Sequence, residues 1–399
     1  MSNKGLFGFK PDRSNYPEID KDGKAILDLS SQKYTKLWLG PNHPGVTGNM
    51  AVELTISGDE VVEARTHVGY LHRGFEKLIE RRLFVQGFPT SIRMCVAEPD
   101  TNEYLIAQCT EELSGYADKV PEMAVWLRTL VLELARLQGL LRGVPGQAGT
   151  FSLGIGVQWG VYLRDLILDR FEELTGARVY HMYIIPGGVR GLLPAGFKKR
   201  LEENLKEIDD FIVRIHQLMF NNSVFKKRSV GVGVIPKEWI DQYGIVGTTA
   251  RASGVKRDVR KDNPYLVYDQ LDFDPPTATD GDIYARTFVR WQELIQTVDL
   301  IRQIMAKMPA KGDIRAKMPN VLHWRIPKGE TYVRLESGRG EYGMYYVTDG
   351  SDKPRRINLR GPSYTHGIAL LERMLVNANI ADVHAIMVSL QVCPPEIER

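Results

Sequence analysis

Between residues 50 and 68 apolar and polar positions alternate on either side of Ser57-Gly58-Asp59, a strand period interrupted by turn residues, and this predicts a β-hairpin. Beyond it the period lengthens to that of helices, over 74–82, 101–118, 121–142, 158–175 and 198–221, with Thr175-Gly176 and Asn221-Asn222 as stop signals. The segment from Pro121 carries Met123, Trp126, Leu127, Leu130, Val131, Leu134, Leu137 and Leu141. So broad an apolar face belongs at the centre of a bundle. A further long helix is expected over 282–308 and an excursion over 309–327. Short strands follow over 331–336, 341–348 and 355–359, then helices over 366–377 and 382–390. Residues 229–276 are rich in Gly, Pro, Asp and basic residues and read as ordered irregular structure, the kind of segment that carries function.

The expectation is an α+β fold, a central helical bundle with small β units near the N-terminus and in the C-terminal third. Four segments are foreseen: an N-terminal arm over 1–36, a β unit with a first site motif over 37–100, the bundle over 101–310 with its charged loop 229–276, and an α+β segment over 311–399 with a second site motif. No internal repeat of fixed period interrupts this order.

Of 399 residues 43% are hydrophobic and 25% charged, the composition of a folded globular chain. Fifty-two basic against 49 acidic residues leave a net charge of +3, which excludes the strong single-sign field of a dedicated nucleic-acid binder. No apolar run reaches the roughly 18 residues needed to span a bilayer. The segment after Met1 lacks the apolar stretch of a signal peptide, and only Cys95, Cys109 and Cys393 occur, so a reducing, cytoplasmic setting is expected.

Two of the three cysteines share a context: Cys95-Val-Ala-Glu98 and Cys393-Pro-Pro-Glu396. A C-x-x-C pair would present two thiolates to a soft metal; C-x-x-E offers one thiolate and one hard oxygen, which weakens the case for nickel or an iron–sulfur cluster. Residue chemistry alone also allows Cys95 as a buried small hydrophobe and Glu98 as a helix-capping acid beside Pro99. Cys109 reads as packing. His43, His72 and His181 have no ligand spacing and read as hydrogen-bonding or proton-path residues. Neither Gly231-Val232-Gly233 nor Gly187-Gly188 matches a nucleotide fingerprint.

Longer motifs carry a resemblance. Gly40-Pro41-Asn42-His43-Pro44, Gly69-Tyr70-Leu71-His72-Arg73-Gly74-Phe75-Glu76-Lys77, Arg251-Ala252-Ser253-Gly254-Val255, Asp258-Val259-Arg260-Lys261 and Glu336-Ser337-Gly338-Arg339-Gly340-Glu341 occur in this order. The chain, from about Leu37 to Arg399, resembles the large 49-kDa-type subunit of respiratory complex I and the related large subunits of membrane-bound [NiFe] hydrogenases. At the two positions where complex I-type subunits hold the quinone head group, a His and a Tyr, this chain has Thr47 and Val96. At the two Cys-x-x-Cys pairs by which the hydrogenases hold nickel and iron it has Cys95-x-x-Glu98 and Cys393-x-x-Glu396, so the resemblance implies that the [NiFe] centre is absent.

The group that combines both losses is the hydrogenase-like membrane complexes of sulfur-metabolising archaea, similar to sulfane-sulfur reductases coupled to ion pumping. That likeness implies a polysulfide-reducing pocket with Cys95, Glu98, Cys393 and Glu396, a proton relay at Glu76 and an anion-binding arginine at Arg339. It implies no cofactor in this chain, [4Fe-4S] clusters in a small iron–sulfur subunit, further hydrophilic-arm and antiporter-like membrane subunits, and ferredoxin as donor. The chain would sit peripherally on the cytoplasmic side of the cell membrane. Other readings remain open: a quinone reductase subunit, or a scaffold whose cysteines are relics. Glu76 could equally be a solvated helix face, and Arg339 a buried partner of Glu336 or Glu341.

Overall fold

The long helix Glu122–Gly149 organises the chain. Leu127, Leu130, Leu134, Leu137 and Leu141 are fully buried along it, with Gly154–Thr175, Ile283–Lys307 and Pro99–Ser114 packed around. A helix apolar on nearly every side has to lie inside other helices, as the sequence pattern required. In this computed structural model residues 33–45 and 49–399 are described, preceded by the strands Glu18–Ile19 and Ala25–Ile26, so most of the expected N-terminal arm lies outside the described residues. Among the described residues no helix is long and apolar enough to cross a membrane.

Two departures from the sequence pattern have physical causes. The central helix does not stop at 142 but runs through Pro145. Proline deprives the Leu141 carbonyl of its usual donor, which alone would end the helix. Here the facing helix approaches so closely that a Cβ at Gly160 would lie 2.3 Å from the Pro145 ring and 2.5 Å from the Leu141 oxygen. Tertiary packing against Gly160 holds the Pro145 turn. In the same way Phe84–Ser91 forms a helix that local pattern does not announce, with Phe84 and Phe88 buried. The stretch expected as one helix over 366–377 instead comprises a π-helical turn His366–Leu370 and the short helix Leu371–Leu375.

Both β units are antiparallel and three-stranded. Near the N-terminus Thr35–Leu39, Ala51–Ser57 and Glu60–His67 pair in that order. Further along the chain Gly329–Ser337, Gly340–Thr348 and Arg356–Arg360 form a meander whose first register pair at the turn is Ser337 opposite Gly340. That register leaves Gly338-Arg339 as a two-residue loop. The meander packs on the Pro99–Ser114 helix, which brings the loop to the start of that helix. Gly247 seats the loop from the other side, at φ 66° and so close that a Cβ would fall 2.4 Å from the Arg339 carbonyl oxygen.

The charged segment 229–276 folds into short helices, Lys237–Gln242, Gly247–Arg251 and Val259–Asp262. Its charges divide by depth. Arg257 and Lys261 face outward, whereas Arg251, Asp258 and Arg260 are buried. Arg251 donates to Glu293 at 2.6 Å and to Glu336 at 2.8 Å, and Arg260 donates to Asp258 at 2.8 Å. A solvated surface loop is therefore not what these residues form.

Arg128, buried on the central helix, donates to both carboxylate oxygens of Glu111 at 2.9 and 2.6 Å and to the carbonyls of Ile185 and Gly188. Glu111→Ala leaves this guanidinium buried and uncompensated, and the expected cost is about 3–5 kcal/mol. Denaturant unfolding of the single variant and of Glu111→Leu/Arg128→Met tests it; the double variant should recover most of the loss, and equal destabilisation of both would refute the ion-pair account.

Candidate functional site: two thiols and two carboxylates around Arg339

Three segments far apart in the chain meet at one point. Glu98 is the residue preceding the first turn of Pro99–Ser114, with extended-side backbone at φ −139° and Pro99 at the first helical position, where a missing N–H costs nothing. Its side chain does not cap that helix and turns instead to the loop, where its Oε2 accepts a hydrogen bond from Gly338 N at 2.8 Å. A Cβ on Gly338 would lie 2.8 Å from Glu98 Oε1, so the loop glycine is required by close approach. At the other end of the chain Gln391, in left-handed conformation, ends Ile380–Leu390 and directs Cys393 to the start of the short helix Pro394–Ile397. Ser363 fixes this segment: its hydroxyl accepts from Cys393 N at 3.1 Å and its own N–H donates to Glu396 Oε1 at 2.8 Å.

The sulfurs of Cys95 and Cys393 are 4.0 Å apart, each residue 1% exposed. Arg339 enters between the motifs. Its Nη1 lies 3.5 Å from Cys95 Sγ, 3.7 Å from Glu98 Oε1 and 3.6 Å from Glu396 Oε2, while its Nε donates to the Gln391 carbonyl at 3.0 Å. It makes no ion pair with Glu336 or Glu341, the partners that sequence position offered. Instead those acids are taken up by Arg251 and by Arg334 and Arg360.

Charge is shared accordingly. The hydrogen bond from the Cys393 thiol, aided by Arg339, holds the Cys95 thiol well below its ordinary range, whereas Cys393, which supplies that proton, is pushed well above it. Burial raises Glu98 against the pull of Arg339, and burial raises Glu396 to about 7. The centre thus sets a Cys95 thiol of lowered proton affinity against the Arg339 guanidinium, with the Glu396 carboxyl raised to about 7 beside them. Cys95, Cys393 and Glu396 offer donor atoms within 4.8 Å of one another, but a guanidinium nitrogen stands against the same donors. Two thiols, two carboxyls and a fixed cation are not the donor set of a four-thiolate bimetallic centre.

Beside this centre lies a cavity of about 540 Å³ lined by Ala97, Glu98, Arg339 and Val392 together with glycines of the central helix. The sulfurs do not line it; Arg339 touches both the cavity and Cys95.

The comparisons with known proteins agree on family. Residues 153–399 match the family of the respiratory-chain NADH dehydrogenase 49-kDa subunit. The D subunit of the NADH-quinone oxidoreductase of Thermosipho melanesiensis is 43% identical over 365 residues, covering 91% of this chain and 99% of that protein. The chain belongs to the 49-kDa subunit family. The D subunit of the F(420)H(2) dehydrogenase of Methanosarcina mazei is 35% identical over 367 residues, 90% of this chain and 96% of that one. Among solved structures a chain of the membrane-bound sulfane sulfur reductase, an archaeal respiratory membrane complex, superposes with a TM-score of 0.89 at 39% identity, covering 92% of this chain and 99% of that one. The protein is thus a complex I-like 49-kDa subunit of a membrane-bound respiratory oxidoreductase.

Within this 49-kDa-type subunit the other expected site residues lie apart from Arg339. Glu76 is neither solvated nor aimed at the sulfurs: it accepts from Leu359 N at 2.9 Å and from Arg399 Nε at 3.0 Å. Val96 is 45% exposed, and Thr47 lies outside the described residues. His181 is buried, its Nδ1 2.9 Å from Asp100 Oδ1, stacked on Phe171. Ser363 and Gln391 escaped the sequence reading because they act through position and backbone, for which a residue name is no signal.

Replacing Arg339 by Met removes the cation that touches Cys95 while keeping length and apolar bulk. The expected outcome is protonation of Cys95, seen by Raman spectroscopy as one additional S–H stretch relative to the unmodified protein, with the complex still assembled. An unchanged S–H signal would refute the thiolate assignment.

Proposed function

We propose that this subunit forms the pocket in which sulfane sulfur or polysulfide is reduced with ferredoxin electrons, next to an iron–sulfur cluster of a small partner subunit. The observation that carries the reading is the buried thiol pair at 4.0 Å held by Arg339. The likeness to the sulfane sulfur reductase supports it, as does the absence from Val96 of the phenol that would hold a quinone. On this reading the complex contains further hydrophilic-arm and antiporter-like membrane subunits, faces the cytoplasm, pumps ions, and carries [4Fe-4S] clusters in partner subunits but no nickel.

The chemistry is thiol–disulfide exchange. With Arg339 displaced from the path, the Cys95 thiolate attacks one sulfur of an S–S bond, forming a mixed disulfide and releasing the other half as a thiolate. Cys393 passes its proton to a neighbouring carboxylate and attacks Cys95, closing a Cys95–Cys393 disulfide and releasing the second half as a thiolate. Two electrons, delivered singly by the partner's iron–sulfur cluster, reopen the disulfide; one proton returns to Cys393. Closure needs the sulfurs to approach from 4.0 Å to about 2.05 Å, within reach of side-chain rotation.

Cys95→Ser and Cys393→Ser in the intact complex are expected to lower polysulfide reduction at least about 100-fold without loss of assembly. Variants that assemble and turn over at the unmodified rate would make the cysteines relics and leave the chain a scaffold. Elemental analysis should find iron but no stoichiometric nickel. Glu76→Gln tests the relay: proton-coupled turnover should slow while electron transfer to an artificial acceptor persists, and equal loss of both would make Glu76 structural.

A further inference from the structure

The cavity beside Arg339 is lined by two further guanidinium groups, Arg142 and Arg164, that the thiol chemistry does not use. Its charged lining consists of Arg142, Arg164 and Arg339 against the single carboxylate of Glu98, with His384 at the side. Glu98 is already engaged by Gly338 N and faces Arg339, and burial favours its neutral form. Arg164 is half-buried and makes no hydrogen bond or ion pair among the described residues. Its sequence neighbour Asp165 is taken by Arg178. Burial disfavours the Arg164 cation, Asp165 acts on it only through space, and an anion brought to it would offset the cost of that desolvation.

Glycine forms part of the same lining. Gly139, Gly143, Gly146 and Gly149 line the cavity from one helix, at spacings of four, three and three residues that put them on a single face. Each interior glycine costs a helix roughly 1 kcal/mol relative to alanine; Gly143 makes room for the Gln391 side chain and Gly149 for Val157, 2.9 Å from where its Cβ would lie, which leaves Gly139 and Gly146 as the roomier positions. A Cβ on Gly146 would meet nothing within 4 Å, and one on Gly139 would meet Glu98 Oε1 at 3.4 Å. The result is a trough whose lining combines guanidinium groups with glycine backbone and includes Arg339.

We infer that this trough binds an anionic sulfur chain, a polysulfide dianion, with Arg142 and Arg164 drawing it in and Arg339 receiving its leading end. A chain of four sulfurs with bonds of about 2.05 Å spans roughly 6 Å. It has no side groups to meet the glycine wall, and its charges sit near its ends. Electrostatic attraction then serves substrate capture and selection while the chemistry stays at Cys95. This inference rests on the sulfur-reducing reading but is tested separately from it.

In the intact complex, steady-state kinetics are measured for polysulfide and for a neutral dialkyl trisulfide, with Arg164→Gln and Arg164→Lys. The ratio of the polysulfide KM to the trisulfide KM is expected to rise about tenfold in Arg164→Gln and to be largely restored by Arg164→Lys. Added salt should weaken polysulfide capture in the unmodified complex more than in Arg164→Gln. An unchanged ratio would overturn the proposal. A second measurement needs no turnover: thiosulfate, a non-chain sulfur dianion, should protect Arg164 against phenylglyoxal, read by peptide mass spectrometry. Absence of protection refutes the anion site even in a complex that reduces polysulfide. Protection in a complex that reduces none upholds the site and sinks the reductase reading.

Discussion

One guanidinium decides how the two ends of this chain can be folded together. Arg339 faces Cys95, Glu98 and Glu396 and is bonded to the Gln391 carbonyl, all with little access to water. Taking any one of these anions out of water alone would cost several kcal/mol. Gathered around one cation, and with one proton shared between the sulfurs, they cost far less, and each partner is necessary to the others. The attraction at 3.5–3.7 Å also sets geometry, since a short loop carrying Arg339 has to arrive at the start of one helix and the end of the chain at once.

That loop is held from its strand side by a second charge cluster. Arg136 donates to the carbonyl of Ser337 at 3.1 Å and also to that of Glu336, while Tyr265 accepts from Glu336 N at 3.2 Å. The Glu336 side chain receives Arg251 at 2.8 Å, and burial with the nearby Asp258 raises it to about 7 against the pull of Arg251. Arg251 in turn reaches Glu293 on the Ile283–Lys307 helix. The loop is therefore clamped to the bundle two residues before Arg339, which accounts for the burial of charged residues from a segment whose composition reads as surface. The arginine has little freedom except at its guanidinium end, where the cavity lies.

Periodicity was enough to read the large elements. The central helix, the N-terminal hairpin and the C-terminal meander follow from apolar spacing, because each buries one face and the pattern records which. What periodicity missed was decided by contact at a distance: Pro145 stays in its helix because of Gly160, and the π-helical turn at His366 has no local sequence reason. At the site, residue chemistry alone read the two C-x-x-E motifs as packing and capping, and the family resemblance is what grouped Cys95, Glu98, Cys393 and Glu396; the structure brings them together with Arg339. The same reading drew Arg339 toward Glu336 and Glu341 because they are its neighbours in sequence. Glu336 and Glu341 are paired strand residues whose side chains stand off the sheet and are taken by Arg251, Arg334 and Arg360, whereas Arg339 lies in the loop beyond the last register pair, so its partners come from elsewhere. Arg142 and Arg164 lacked any motif; only the shape of the trough singles them out.

Burial also fixes how electrons and protons are linked here. The Cys393 hydrogen bond and Arg339 hold the Cys95 thiol well below its ordinary range, and burial raises Glu396 to about 7. On the sulfur-reducing reading, each electron that enters adds a negative charge among side chains that are almost fully buried. Glu396, raised to about 7 by burial and 3.6 Å from the guanidinium, is placed to take up a proton in response. Reduction next to Arg339 thus favours proton uptake at Glu396, and its reversal favours release. Because Glu396 is bonded through Ser363 to the segment that carries Cys393, its charge state acts on the position of that sulfur as well as on the field it feels. On that reading, desolvation of the acid is what links its proton uptake to the arriving electron.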